Sequence, residues 1–330
     1  MGDAAPEGVH TNPWVRGADG QATYEPDFDT LARLLGVPLH LGASTQSGVP
    51  ALALDVWLSY ELRRSGFRRD VVWPRPMAPR ILPVTISNLL DSVPGRIAKP
   101  LEEWISKKGS VKGVTAASAS ILGKNYRKQV DVVMTDWHTG PELLISTKRM
   151  DSSYGNNAAN RVEESYGDAK NLRLRHPMAA LGFVFGLRSD ILQSAPDVAE
   201  WLMDLLAKLG REDDAYHATC LVLIEYGADA AVPEDDGTDT EDRLAAAGID
   251  SDEEDEPSEE ELELSAVEQE EIEHVLANLP AVAIRRDATP ENLAPERFLA
   301  AMVSRVLDVT PVNMHSEARA RRKDAIDLPA

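Results

Sequence analysis

The sequence predicts an α/β fold: a central mixed β-sheet flanked by helices, with further helical segments. Three observations lead there. Two short apolar runs, Val130 to Met134 and Leu143 to Thr147, flank a polar turn containing Gly140 and Pro141, the pattern of an antiparallel hairpin. Two more, Met178 to Leu187 and His217 to Tyr226, are apolar almost throughout, as strands buried on both faces are. Amphipathic stretches of helical period lie between and around them.

Taken in order, residues 1–26 are rich in Gly, Pro and Asp and read as a loose arm. Phe28 to Leu35 has helical spacing and stops at Gly36. Ala51 to Arg64 reads as a strong helix with Leu54, Trp57, Leu58 and Leu62 on one stripe. The cluster Arg63, Arg64, Arg68 and Arg69 at its end either complements the helix dipole or forms a phosphate-contacting edge. Trp73 to Pro83 holds four prolines and reads as a connector. Residues 84–109 form two helical pieces broken near Pro94 and Gly95, with Glu102 and Glu103 on the solvent side of the second. Residues 110–128 are rich in Ser, Ala and Gly and end in the basic run GKNYRKQ. After the hairpin, a helix runs from about Ala158 to Leu172, and VAEWLMDLLAKLG is a second, stopped by Gly210. Glu234 to Glu263 is acidic and poor in aromatics, so it reads as a disordered linker. Two helices follow, and then a tail basic in its middle (Arg319, Arg321, Arg322, Lys323). The expected organisation is an N-terminal helical region (1–96), an α/β core (97–228), an acidic linker or insert (229–263) and a C-terminal helical segment (264–330).

Composition narrows the functional classes. No apolar run approaches the roughly 18 residues needed to span a bilayer, and no secretory signal is evident. The single cysteine, Cys220, forms neither an intramolecular disulfide nor a thiolate zinc site, which favours a reducing cytoplasm. The net charge of −21 is unevenly spread: residues 1–190 carry 23 Lys and Arg against 20 Asp and Glu, and the rest of the chain 11 against 35. The front is therefore mildly basic, and local field rather than total charge decides whether a phosphate backbone is attracted. Phosphate-loop, GxGxxG, HExxH, Cys/His and GxSxG motifs are absent, which removes most nucleotide enzymes, zinc enzymes and serine hydrolases.

What remains is Asp131 at the head of the first hairpin strand and Lys148 at the foot of the second. Alternation puts Lys148 and Ser146 on one face. An acid and an amine meeting at a sheet rim suggest a metal-assisted hydrolytic site. At Val130-Asp131 and Ser146-Thr147-Lys148 the sequence resembles the PD-(D/E)xK nuclease superfamily, of restriction-endonuclease-like fold. Val130 stands where that motif has Pro, and Ser146 where it has its second carboxylate. Some type II restriction enzymes of the superfamily share the Ser-x-Lys form and take the missing carboxylate from the following helix. Here that helix carries Glu163 and Glu164, of which Glu163 has the nearer spacing, with Tyr166 three residues on as a supporting tyrosine.

The resemblance implies a Mg²⁺-dependent DNA endonuclease, serving restriction or defence against foreign DNA. Asp131 and Glu163 (or Glu164) would hold the metal, and Lys148 would orient or deprotonate the attacking water. Lys124, Arg127 and Lys128 before the hairpin, and Arg161, Lys170, Arg173 and Arg175 after it, would track phosphates. Cutting both strands implies a homodimer or larger assembly. The rival expectation is a non-catalytic interaction or DNA-binding subunit of a defence complex, whose acidic run docks a basic protein partner.

Overall fold

The computed structural model describes residues 4–5, 10–43, 47–75, 78–108, 111–112, 114–116, 118–211, 215–227 and 268–327. The acidic run at 234–263, with the roles expected of it, lies outside these residues.

Among the described residues, six strands form one mixed sheet. Its centre comprises β6 (Val132–Asp136), β7 (Gly140–Met150), β8 (Ala180–Arg188) and β9 (Ala218–Tyr226). β6 and β7 are the antiparallel hairpin read from the sequence, with Val132 opposite Ile145, and β7, β8 and β9 run parallel. The parallel crossovers are made by α5 (Tyr154–Arg173), between β7 and β8, and by α6 (Ile191–Ser194) and α7 (Pro196–Leu209), between β8 and β9. The edges come from far away in the chain: β3 (Val72–Trp73) pairs with β6, and β10 (Val282–Ile284) with β9.

Period-2 alternation sorts the sheet's apolar side chains onto two faces. Val132, Met134, Leu143, Ile145, Val184 and Val222 pack against α1 (Phe28–His40), α2 (Val49–Arg64) and α9 (Pro295–Val309). Val133, Leu144, Phe183, Phe185 and Leu221 pack against α5 and α7. The N- and C-terminal helical regions therefore share one core with the sheet. Complete burial of side chains such as Trp57, Phe183 and Phe298 contributes about 1.5–3 kcal/mol each.

The segments read as irregular have more structure than expected. The N-terminal arm folds into a hairpin, β1 (Trp14–Arg16) and β2 (Ala22–Tyr24), whose Trp14 and Tyr24 are buried edge-to-face at 5.1 Å. Helix α1 runs through Gly36 to His40, because that glycine serves close approach rather than termination: a Cβ there would lie 3.0 Å from the Pro280 carbonyl oxygen. Residues 84–108 form α3 (Val84–Ser92) and α4 (Gly95–Lys108), close to expectation. The Ser/Ala/Gly-rich stretch becomes a separate ribbon, β4 (Ala119–Leu122) and β5 (Arg127–Val130). C-terminal to the insert lie α8 (Glu268–Ala277), α9 and α10 (Ser316–Asp327), the last formed by the basic tail.

Several of the expected surface cations are turned inward. Arg63 donates to the carbonyls of Val72 and Pro74, and Arg64 is paired with buried Glu61 at 2.8 Å. Arg319 caps the end of α9 through the Leu307 and Thr310 carbonyls, and Arg321 donates to the Arg64 carbonyl. Of the first arginine cluster, only Arg68 and Arg69 are exposed.

Candidate active site where two hairpins meet

The chain leaves the β4–β5 ribbon at Val130 and enters the main sheet at Val132, so Asp131 occupies the junction between two sheets. β7 is longer than β6 and overhangs it. Beyond Ile145, the last residue of β7 with a β6 partner, residues 146–150 pair only with β8 on their other side. A strand edge left open in this way has backbone donors to satisfy. Asp131 supplies an acceptor: its Oδ2 receives the Thr147 N–H at 2.7 Å. The acid is thus fixed by the backbone of the middle residue of Ser146-Thr147-Lys148.

Alternation along β7 then separates the triplet. Ser146 and Lys148 face α5 and line a cavity of about 40 Å³ together with Asp131, Lys128, Gln129, Phe183 and, from α5, Ser165 and Asp168. Thr147 points to the other face, where its hydroxyl donates to Asp55 of α2 at 2.6 Å. Asp55 is buried, and its carboxyl is held well above the ordinary range, first by burial and then by the Asp131 carboxylate beside it; the Thr147 hydrogen bond, Arg80 and Lys148 oppose that shift.

The helix expected to supply a carboxylate turns Asp168, rather than Glu163 or Glu164, to the cavity. The inner stripe of α5 is Ala158, Val162, Ser165, Ala169 and Leu172, at three- and four-residue spacing, and Asp168 borders it. Glu163, Glu164 and Tyr166 lie on the exposed side, and none of them lines the cavity. Asp168 is firmly held: Lys128 Nζ is 2.8 Å from Oδ2 and the Tyr126 hydroxyl donates to Oδ1 at 3.0 Å. Burial, followed by the Asp168 charge, pushes the Tyr126 phenol up to about 12. Below the cavity, buried Tyr216 stacks on Phe183 with ring centroids 5.4 Å apart and donates to the Ser165 carbonyl at 2.7 Å.

Asn171, one helical turn beyond Asp168, ties the ribbon to α5. Its Oδ1 accepts the Asn125 N–H at 2.9 Å, its Nδ2 donates to the Tyr126 carbonyl at 3.0 Å, and its own carbonyl accepts from the Lys124 N–H at 2.9 Å. Gly123 is required at the contact, since a Cβ there would lie 2.1 Å from Asn171 Nδ2.

The cations expected to follow a phosphate backbone divide into three groups. Lys124 and Arg127 are exposed on the ribbon, Lys170 is exposed on α5, with its ammonium 6.0 Å from the centre of the Tyr166 ring, and Arg175 is exposed just beyond that helix. Arg161 is half-buried. Lys128 turns in to Asp168, and Arg173 donates to the His217 ring. Burial, Arg173 and Arg305 together lower the His217 imidazole to about 4.

The residues missed by sequence reasoning, Asp168 and Asp55, each left a signal. Asp168 borders the apolar stripe that fixes which face of its helix is buried. Asp55 is the one acid in the otherwise apolar run ALALDVWL. The cavity's donors are oxygens: two carboxylates and the hydroxyls of Ser146 and Ser165. Among the described residues no cluster of three or more His, Cys, Asp or Glu side chains converges as a metal cage. A two-carboxylate set suits a hard divalent cation that keeps several of its waters, and the Lys128 ammonium against Asp168 shows that the position accepts positive charge. Comparisons with family models, with curated proteins and with solved structures gave no match to this chain.

Proposed function

We propose that the protein is a Mg²⁺-dependent deoxyribonuclease of restriction-endonuclease-like fold, hydrolysing phosphodiester bonds at the Asp131–Asp168–Lys148 cavity. The reading is supported by one observation above all. Residues from the sheet junction, the overhanging strand and the following helix converge on one small cavity lined by two aspartates, two lysines and two serines. Asp131 and Asp168 would hold the metal, and Ser146 stands where the strand lacks a carboxylate. When bound, the metal would acidify a water and neutralise charge on the phosphate. The chain's own residues do the rest. The Thr147 N–H fixes the orientation of Asp131. Lys148 brings an ammonium to the same cavity, positioned to orient a nucleophilic water or to offset charge building on the phosphate oxygens. Lys124, Arg127, Lys170 and Arg175 offer exposed cations on the neighbouring ribbon and beside α5 for the nucleic-acid backbone. Cleaving both strands calls for a second copy of the chain.

The test is plasmid cleavage with Mg²⁺ and with chelator, comparing the unmodified chain with Asp131→Ala, Lys148→Ala and Asp168→Asn. Cleavage that needs the metal and is lost in all three variants is expected. Activity retained in both Asp131→Ala and Lys148→Ala sinks the assignment.

A further inference from the structure

Two acids and two amines line the cavity, and one pair is already closed. Lys128 Nζ stands 2.8 Å from Asp168 Oδ2, with the lysine side chain 14% and the aspartate 12% exposed. The other carboxylate oxygen is taken by the Tyr126 hydroxyl. The cavity measures about 40 Å³. Both Asp168 oxygens are engaged, and a cation that takes one of them must displace a partner. The ribbon backbone is a poor candidate, since Asn171 holds it by hydrogen bonds in both directions. The ammonium of Lys128, on its flexible four-carbon stem, is the group able to move.

We infer that Lys128 is an internal counter-cation that a divalent metal ion displaces from Asp168, swinging the ammonium out toward the phosphates of a bound nucleic acid. The inference rests on the nuclease reading above. Charge balance supports it: Lys128 and Lys148 offset Asp131 and Asp168, so a divalent ion added with both amines in place leaves the cavity with a surplus of two charges. Moving Lys128 outward relieves the surplus and adds a third cation to exposed Lys124 and Arg127 on the same ribbon. Metal and nucleic acid then favour each other's binding, because each stabilises the swung-out lysine.

The experiment is calorimetric titration of Mg²⁺ or Mn²⁺ into the full chain without DNA, for the unmodified protein, Lys128→Met, Lys128→Gln and Lys128→Arg. Duplex binding and cleavage are measured alongside, and thermal melts verify folding. Removing the competing charge in Lys128→Met is expected to tighten metal binding about tenfold, while duplex affinity and cleavage at saturating metal both fall. Lys128→Gln, which keeps a hydrogen-bond donor for Asp168 without the charge, tightens metal binding in the same direction and stands in should the methionine variant not fold. Lys128→Arg stays near the unmodified affinity. Metal binding no tighter in Lys128→Met and Lys128→Gln overturns the displacement, even where the unmodified protein cuts DNA. An unmodified protein that takes up no divalent cation and cuts no DNA overturns the nuclease reading and this inference with it.

Discussion

Two acid–base clusters in this molecule are built on different plans. Around Glu61 both carboxylate oxygens are matched to internal donors. Its carboxylate accepts the Asp27 N–H at 2.7 Å, the Tyr24 hydroxyl at 3.0 Å and Arg64 Nη1 at 2.8 and 3.0 Å, and the residue is 0% exposed. Every donor comes from the N-terminal third of the chain, and their effect is to fasten β2 and the start of α1 to α2. Around Asp131 and Asp168 the plan is open: carboxylates from two elements face one cavity, Asp131 held by the Thr147 N–H and Asp168 by Lys128 and Tyr126 of the ribbon. The first arrangement holds the fold together by matching each acceptor to an internal donor. The second leaves charge facing a space a ligand can enter, which is the condition for chemistry.

The contrast is sharpest in the two removals. Asp131→Asn should lower metal-dependent cleavage about a thousandfold or more, roughly 4 kcal/mol of barrier, while the melting temperature stays close to that of the unmodified protein. Glu61→Ala should do the reverse. It leaves Arg64 without its buried partner and costs about 3–4 kcal/mol of stability in denaturant titration, with metal affinity of the remaining folded protein unchanged. Equal effects of the two changes on stability would erase the distinction.

A pH titration probes the same difference. Burial raises the Glu61 carboxyl from 4.5 to about 7, against the opposing pull of Arg64. The folded state therefore holds that proton more tightly than the unfolded state. The stability this confers is fully present below pH 4.5 and is lost as pH rises through 7, a span worth roughly 3 kcal/mol. Glu61→Gln should flatten that part of the stability–pH curve, and an unchanged slope would count against the assignment. The smallest effects belong to the exposed acids. Glu163→Gln and Glu164→Gln should each change stability by less than about 0.5 kcal/mol and leave cleavage near its original rate, whereas Asp168→Asn abolishes it.

Much of the sheet could be read directly because its signals are local. The β6–β7 hairpin, β8 and β9 each carry an apolar run of strand length, and α5, α7 and α9 carry the helical period. What could not be read depends on distant partners. β3 and β10 are two and three residues long, too short for any periodicity, and exist because β6 and β9 have edges to cover. Trp14 marks the N-terminal arm as structured only once Tyr24 and α10 are in place around it. The site divides the same way. Asp131 and Lys148 were legible because strand alternation and a hairpin relate them. The helix that completes the cavity was legible too, but choosing among its acids required its angular register. Spacing along the sequence pointed to Glu163; the rotation imposed by Val162, Ser165, Ala169 and Leu172 selected Asp168. Asp55 lies on the opposite face of the sheet and is joined to the site by the Thr147 hydroxyl, a contact across 92 positions that no motif encodes.

Tyr226 pairs with Val282, so β9 and β10 are sheet neighbours although residues 227–281 lie between them in the chain. Closing a loop costs entropy only as the logarithm of its length, so each doubling adds only about 0.6 kcal/mol. The β9–β10 edge is therefore closed across a long connection at modest entropic cost. A change in the number of residues between Tyr226 and Val282 should accordingly alter the stability of that pairing by well under about 1 kcal/mol.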